Sequence, residues 1–161
     1  MEDGTSILFG LPGVAVDRVE RFTEDGSAVR LVHVVTSASS AAGCPQCGVV
    51  STSVRQYRTT RPRDLPYGEE PLAVRWHKRQ FRCREEACER KAFTESTAEI
   101  PPRARLTGRL CRQAARQVAS GRSVSAVAAE LGLSWPVAHR HYAAHADVLL
   151  TEPEPPVVLG I

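Results

Sequence analysis

The chain has 161 residues, 42% of them hydrophobic and 24% charged, with a formal net charge of +3. That length suits one compact domain or two small ones, and the composition excludes wholesale disorder. No run of 18 apolar residues is present to cross a bilayer, and the acidic start Met1-Glu2-Asp3 has no apolar stretch behind it, so neither a membrane nor export is expected. A cytoplasmic chain keeps its thiols reduced, so five cysteines are expected to bind metal rather than pair with one another.

The modest net charge hides a polarised distribution. Up to Ser53, 3 Lys+Arg stand against 6 Asp+Glu; from Val54 to Arg116, 16 stand against 8; beyond that, 2 stand against 4. A basic middle between acidic ends points to a polyanionic partner.

In chain order, Gly13 to Val19 alternates apolar and other residues and reads as a strand. Glu24-Asp25-Gly26-Ser27 is a turn signal, and Ala28 to Thr36 reads as a second strand, so the two are expected to form a hairpin. Ser37 to Gly43 is a small, polar loop. Leu72 to Arg82 is the longest strand candidate, with Leu72, Val74 and Trp76 on one face and Arg75, His77, Arg79 and Phe81 on the other. Lys78, Gln80 and Arg82 make the first face polar towards its end. The texture changes after Pro101-Pro102. Thr107 to Ser120 carries Leu110, Ala114, Ala115 and Val118 at helical spacing, with Thr107 as cap and Gly121 as stop. Ser123 caps a second helix, Val124 to Leu131, closed by Gly132. Ser134 caps a third, from Trp135 to about His145, with Pro136 in its first turn, where a missing N–H costs little. Glu152 to Pro156 is a stiff linker, and Val157 to Ile161 looks like the start of a strand.

Cys44-Pro45-Gln46-Cys47-Gly48 is a C-x2-C pair on a tight turn, and Cys83 and Cys88 form a second, looser pair. Two such pairs close a tetrahedral site of four thiolates with no open position, which makes the expected Zn2+ single and structural. The 35 residues between the pairs leave room for strands, as in a zinc ribbon. A redox role for one pair would need no second pair. His77 is an alternative ligand, although its place in a strand favours a surface role. Cys111, on the inner face of a helix, reads as core.

Val127 to Arg140 carries a second pattern: an Ala four residues before Gly132, Leu133 to plug the turn, Ser134 to cap, and Ala138 to face back. It resembles the bacterial helix-turn-helix in its lac-repressor-like form, in which the start of the second helix reads base edges in the major groove. On that pattern Trp135, Pro136, His139 and Arg140 point outward, and Arg140 is the best candidate to hold a guanine through O6 and N7. The plainer alternative is an ordinary pair of packed helices. Arg103 and Arg105 precede a stripe of Arg109, Arg112 and Arg116 at helical spacing, suited to phosphates. Arg75, Lys78, Arg79, Arg82 and Arg84 add a second basic patch near the cysteines, whose plainer reading is a solvated strand face.

The order of these features is similar to the N-terminal part of the ISL3 family of bacterial insertion-sequence transposases. The matching residues are Leu8-Phe9-Gly10-Leu11 with Val14 to Val19, Cys44 to Gly48, Asp64-Leu65-Pro66-Tyr67-Gly68, Arg79 to Cys83, Cys88 to Glu95, and Ala104 to Thr107. The resemblance implies that a nuclease domain with two Asp and one Glu would follow, its first strand reading Leu-Gly-Ile before the first catalytic Asp. Leu159-Gly160-Ile161 stands where that strand would begin. Two-metal strand transfer needs several converging carboxylates, and Asp3, Asp17, Asp25, Asp64 and Asp147 suggest no such cluster. No catalysis is therefore expected of this chain, only recognition of DNA.

The expected fold class is α+β: a β-rich zinc-ribbon domain over 1–100, a three-helix helix-turn-helix domain over 101–150, and a Pro-rich tail over 151–161. The expected function is sequence-specific binding of double-stranded DNA at element ends or an operator, in the bacterial cytoplasm and on its nucleoid. A homodimer would suit inverted sites, although no residue pattern shows one. Two alternatives stand beside this: a zinc-ribbon module that docks an acidic protein, and the DNA-binding half of a split transposase.

Overall fold

The computed structural model describes residues 4–68 and 72–149. They group into two compact units, one running to Leu110 and the other from Cys111. No helix among the described residues is long and apolar enough to cross a membrane.

The first unit opens with a short helix, α1 (Gly4–Phe9), followed by β1 (Val14–Glu24) and β2 (Ser27–Thr36). These two strands pair antiparallel from Val14↔Thr36 to Glu24↔Ser27, so the hairpin expected from the sequence is present. Asp25 and Gly26 close it with φ of 49° and 79°, the left-handed pair that a two-residue turn between right-twisted strands requires. A bulge falls at Asp17, between Val16 and Arg18. There the Val16 N–H donates to the Ser6 hydroxyl of α1 at 2.8 Å, which ties the helix to the strand.

After a single 3-10 turn at Ser39–Ala42 come β3 (Val54–Thr60), β4 (Leu72–Arg82) and β5 (Ala92–Thr94). The sheet order is β1-β2-β4-β3, with β5 also on β4. β2 and β4 run parallel, from Arg30↔Leu72 to Val35↔His77. A parallel pair needs a long crossover, and the segment from Ser37 to Gly68 with its continuation provides it. β3 lies in that crossover and pairs antiparallel with β4 from Val54↔Phe81 to Thr60↔Trp76. Trp76 and His77 thus pair with β2 and β3 together, which places the two strands on opposite edges of β4. β5 pairs Gln80, Phe81 and Arg82 beyond the end of β2, on the same edge.

Strand alternation builds the core. Val14, Val16, Val32, Val34, Val74 and Trp76 turn to one face with Leu11 and Ile100 over them, and Val34 and Trp76 have no exposed surface. The buried indole N–H is satisfied by the Thr36 hydroxyl at 3.1 Å. A smaller core joins Phe81 and Phe93 to the cysteines Cys44 and Cys88.

α2 (Gly108–Ala119), α3 (Val124–Glu130) and α4 (Trp135–Leu149) follow. Thr107 caps α2, its hydroxyl accepting from the Leu110 N–H at 3.3 Å, and Ser123 caps α3 by accepting from Ala126 at 3.2 Å. Both caps were legible as Thr or Ser before an apolar helical run. The first unit extends past the change of texture at Pro101-Pro102 because residues 105–109 are bonded back into it. Arg63 exchanges backbone hydrogen bonds with Arg105 and Thr107 at 2.8 and 2.9 Å, and Gly108 donates to the Glu99 carbonyl at 2.7 Å. The tail over 151–161, with its expected strand start, lies outside the described residues.

In the second unit Ala114, Ala115, Val127, Ala128, Leu131, Leu133 and Ala138 are buried. α4 packs against α3.

Candidate metal centre and nucleic-acid interface

Cys44 and Cys47 sit on a knuckle that the backbone folds tightly. The Cys44 N–H donates to the Val49 carbonyl at 2.9 Å, and the Gly48 N–H returns to the Cys44 carbonyl at 2.8 Å. Gly48 takes φ +76°, a conformation in which a Cβ would be strained. Cys83 follows the last residue of β4 and Cys88 lies in the loop before β5, its N–H on the Glu85 carbonyl at 3.2 Å. All four Sγ atoms lie within 4.8 Å of one another. Cys47 and Cys83 are 3.6 Å apart and Cys44 and Cys88 4.0 Å. Thiolates at about 2.3 Å from a tetrahedral zinc lie about 3.8 Å from each other, so the spacing fits that ion. Among the described residues this is the one group of three or more His, Cys, Asp or Glu fit to hold a metal.

The electrostatics agree with the geometry. Burial opposes ionisation of Cys44, but N–H groups of Cys47 and Gln46 and the neighbouring thiols outweigh it, so its pKa falls to about 7. Burial pushes the Cys88 thiol up. Four close thiols cannot all ionise without a cation among them, and Zn2+ supplies that charge and cross-links the knuckle to the end of β4. His77 takes no part. Its Nε2 is 2.9 Å from Nδ1 of His33 and its Nδ1 is 3.2 Å from the Thr59 hydroxyl. Burial, then the His33 ring, hold its pKa below the usual imidazole value.

The second site is the join of α3 and α4. Gly132, at φ +59°, ends α3 with two bonds: its own N–H reaches the Ala129 carbonyl at 3.2 Å, and the Leu133 N–H reaches that of Ala128 at 2.8 Å. This is a Schellman stop, which turns the chain within a few residues. The next helix starts with Ser134, whose carbonyl accepts from Val137 and Ala138 at 3.1 Å each. Ala138 is fully buried, while Trp135, Pro136, His139 and Arg140 are exposed. The Trp135 ring stacks on His139 with centroids 4.8 Å apart and planes 8° from parallel.

Residues 40–88 match the family model described as the zinc-finger of transposase IS204/IS1001/IS1096/IS1165, and residues 95–146 match the helix-turn-helix domain of transposase family ISL3. The chain carries the zinc ribbon and the helix-turn-helix of ISL3-family transposases. No curated protein and no solved structure matches it. The ribbon of this family comprises the cysteine knuckle, β3, β4 and the second cysteine pair; the β1-β2 hairpin extends the sheet beyond the matched residues. These are zinc-binding and DNA-binding modules.

The basic residues expected to meet DNA fall into different settings. Arg112 and Arg116 are exposed on α2. Arg109, the third member of that stripe, is occupied: its Nε donates to Asp64 at 2.7 Å, its Nη2 to the other oxygen of the same carboxylate, and its Nη1 to the Phe9 carbonyl at 2.6 Å. The reason is Asp64, whose buried carboxylate needs a cation and also accepts from the Thr107 hydroxyl at 2.7 Å. The β4 patch is divided by strand alternation, with Arg75 and Arg79 on one face and Lys78 and Arg82 on the other. Arg79 is held by Glu95 through Nε at 2.7 Å and Nη2 at 2.6 Å. Lys78 lies over the Trp76 ring at 4.4 Å, and burial lowers its pKa. Arg82 and Arg84 are exposed.

Three buried polar residues escaped the sequence reading. Glu95 is 2% exposed and fills the seam where β2 has ended and β5 has not begun, accepting from the Arg79 backbone N–H at 2.7 Å and the Thr36 hydroxyl at 3.1 Å. Its carboxylate replaces a strand partner that β4 lacks at that point. His33 is fully buried with its ring stacked on His77 at 5.2 Å. Asp64 anchors the entry to α2. None of the three carries a spacing signal, since each is placed by tertiary pairing alone.

Proposed function

We propose that this chain binds double-stranded DNA in a sequence-specific manner, at the ends of an insertion element or at an operator, with the start of α4 in the major groove. The observation that carries this reading is the exposed face of Trp135, Pro136, His139 and Arg140 directly after the Schellman stop at Gly132. The helix-turn-helix geometry puts such a face against base edges. Arg140 has no ion-pair partner among the described residues, so its fork is open to guanine O6 and N7. Arg112 and Arg116 hold backbone phosphates on this reading, as do Arg75, Lys78 and Arg82 in the first unit. Arg109 and Arg79 hold the protein together instead, through Asp64 and Glu95. Zn2+ on Cys44, Cys47, Cys83 and Cys88 is structural.

The reading assigns recognition and no strand transfer to this chain. Asp17 pairs with Arg18, Asp25 lies in the hairpin turn and Asp64 is neutralised by Arg109, so these carboxylates do not converge. Its setting is the bacterial cytoplasm, where reduced thiols are free to take zinc. The experiment is selection from a randomised duplex with the zinc-loaded chain, repeated with Arg140→Ala. The expected result is a defined sequence preference that the variant loses at one position. Equal binding of all sequences by the wild type would end this reading.

A further inference from the structure

A groove of about 600 Å³ opens on the sheet face that carries Lys78 and Gln80. Its floor is formed by adjacent positions of β3 and β4, its rims by Pro45 of the cysteine knuckle, Arg90 of the second cysteine loop and the turn at Pro102-Arg103. Arg58 and Lys78 are direct cross-strand partners and therefore share this face. Like charges placed opposite each other on a sheet are destabilising unless an anion joins them. Burial lowers the pKa of Lys78, the Glu95 carboxylate, which also lines the groove, opposes the fall, and Arg58 adds a smaller push downward. That carboxylate is already taken by Arg79. Arg58, Arg90 and Arg103 are exposed and have no ion-pair partner among the described residues. Arg103 also holds φ +64°, a left-handed conformation that is strained for an L-residue. Non-glycine residues kept there cluster at ligand sites.

We infer that this groove clamps the phosphate backbone of duplex DNA, with Arg58, Lys78, Arg90 and Arg103 as the cations and the Gln80 amide and Thr60 hydroxyl as added polar contacts. Four cations converging on a polar floor match a run of phosphates. A single strand would want exposed aromatic rings to stack its bases. The aromatic side chains here are Phe93, 3% exposed among the cysteines, and Trp76, buried beneath Lys78. The contact is indifferent to sequence and belongs to the first unit alone, so it stands apart from base reading by α4.

The test uses the full zinc-loaded chain and a duplex of random sequence. The slope of log K on log salt is measured for the wild type, for Arg58→Gln/Arg90→Gln/Arg103→Gln together, and for Arg18→Gln on the opposite sheet face. Each phosphate contact contributes about 0.9 to that slope, so the triple variant is expected to lose about 2.7 and Arg18→Gln nothing. Zinc content and melting temperature should stay at wild-type values, because the three side chains are exposed and form no ion pair among the described residues. An unchanged slope in a triple variant that keeps its zinc overturns the inference, as does a wild type that fails to bind random duplex at low salt. Loss of slope without any sequence preference in the wild type would sustain the groove while ending the role given to α4.

Discussion

Arg109→Ala separates a structural arginine from a DNA-binding one. In the fold the Asp64 side chain has no exposed surface and that of Arg109 only 21%. Removing the guanidinium leaves a buried carboxylate whose remaining named donor is the Thr107 hydroxyl. Breaking a buried pair from one side costs about 3–5 kcal/mol. The partial exposure of Arg109 points to the lower half of that range, about 3–4 kcal/mol, with the bond to the Phe9 carbonyl within it. For a chain of this size such a loss lowers the melting temperature by roughly 10–15 °C. Arg109→Lys keeps the charge but not the two-pronged contact, so it should recover only part of the loss. The assay is urea unfolding followed by circular dichroism, with DNA binding over a salt series on the same samples. The reasoning fails if Arg109→Ala unfolds within about 0.5 kcal/mol of wild type and instead lowers the salt slope by about 0.9, the behaviour of a phosphate ligand.

Three further outcomes are expected. Elemental analysis of the reduced protein should find one zinc per chain, lost in Cys44→Ser and Cys83→Ser and kept in Cys111→Ser; chelation should unfold the ribbon, since metal binding supplies folding free energy on the order of 10 kcal/mol. Arg140→Ala should cost about 1–3 kcal/mol of discrimination at one base pair with little change in salt slope, whereas Arg112→Gln and Arg116→Gln should each lower the slope by about 0.9 and leave base preference alone. Glu95→Ala should destabilise by about 1–3 kcal/mol in thermal unfolding, mostly by stranding the Arg79 N–H in the sheet seam, because the Arg79 side chain is 44% exposed and its ion pair is screened.

What the sequence made legible was what is local or periodic. The β1-β2 hairpin, the full span of β4, the caps at Thr107 and Ser123, and the stop at Gly132 each rest on a few neighbouring residues. The cysteine quartet was legible because zinc demands paired spacing. β3 was not, since its residues Val54 to Thr60 are mostly exposed and carry no apolar alternation. β5 spans three residues, too few to show a period, and α1 exposes Ile7 and Leu8. The end of the first unit at Leu110 likewise has no local signal. A change in composition at Pro101-Pro102 is visible in sequence, but the backbone pairing of Arg63 with residues 105 and 107 is not.

The basic segment illustrates why a charge count alone does not say which cations the fold itself uses. Of its 16 Lys and Arg, two of those expected to meet phosphates, Arg109 of the helical stripe and Arg79 of the β4 patch, are each paired with a buried acid that the chain supplies itself. A buried carboxylate is stable only with a partner, so the nearest arginine is drawn inward wherever the fold buries one. Arg58 opposite Lys78, Arg90 in the cysteine loop and Arg103 in its left-handed turn form no ion pair among the described residues and line one groove. None of these falls on a regular period, because the surface that joins them is made by the pairing of β3 with β4 and by the closing of the cysteine loops. The zinc site thus has a consequence beyond stability. By fixing the knuckle and the Cys83–Cys88 loop it sets two rims of the groove, Pro45 and Arg90, and so couples metal binding to any hold on DNA by the first unit.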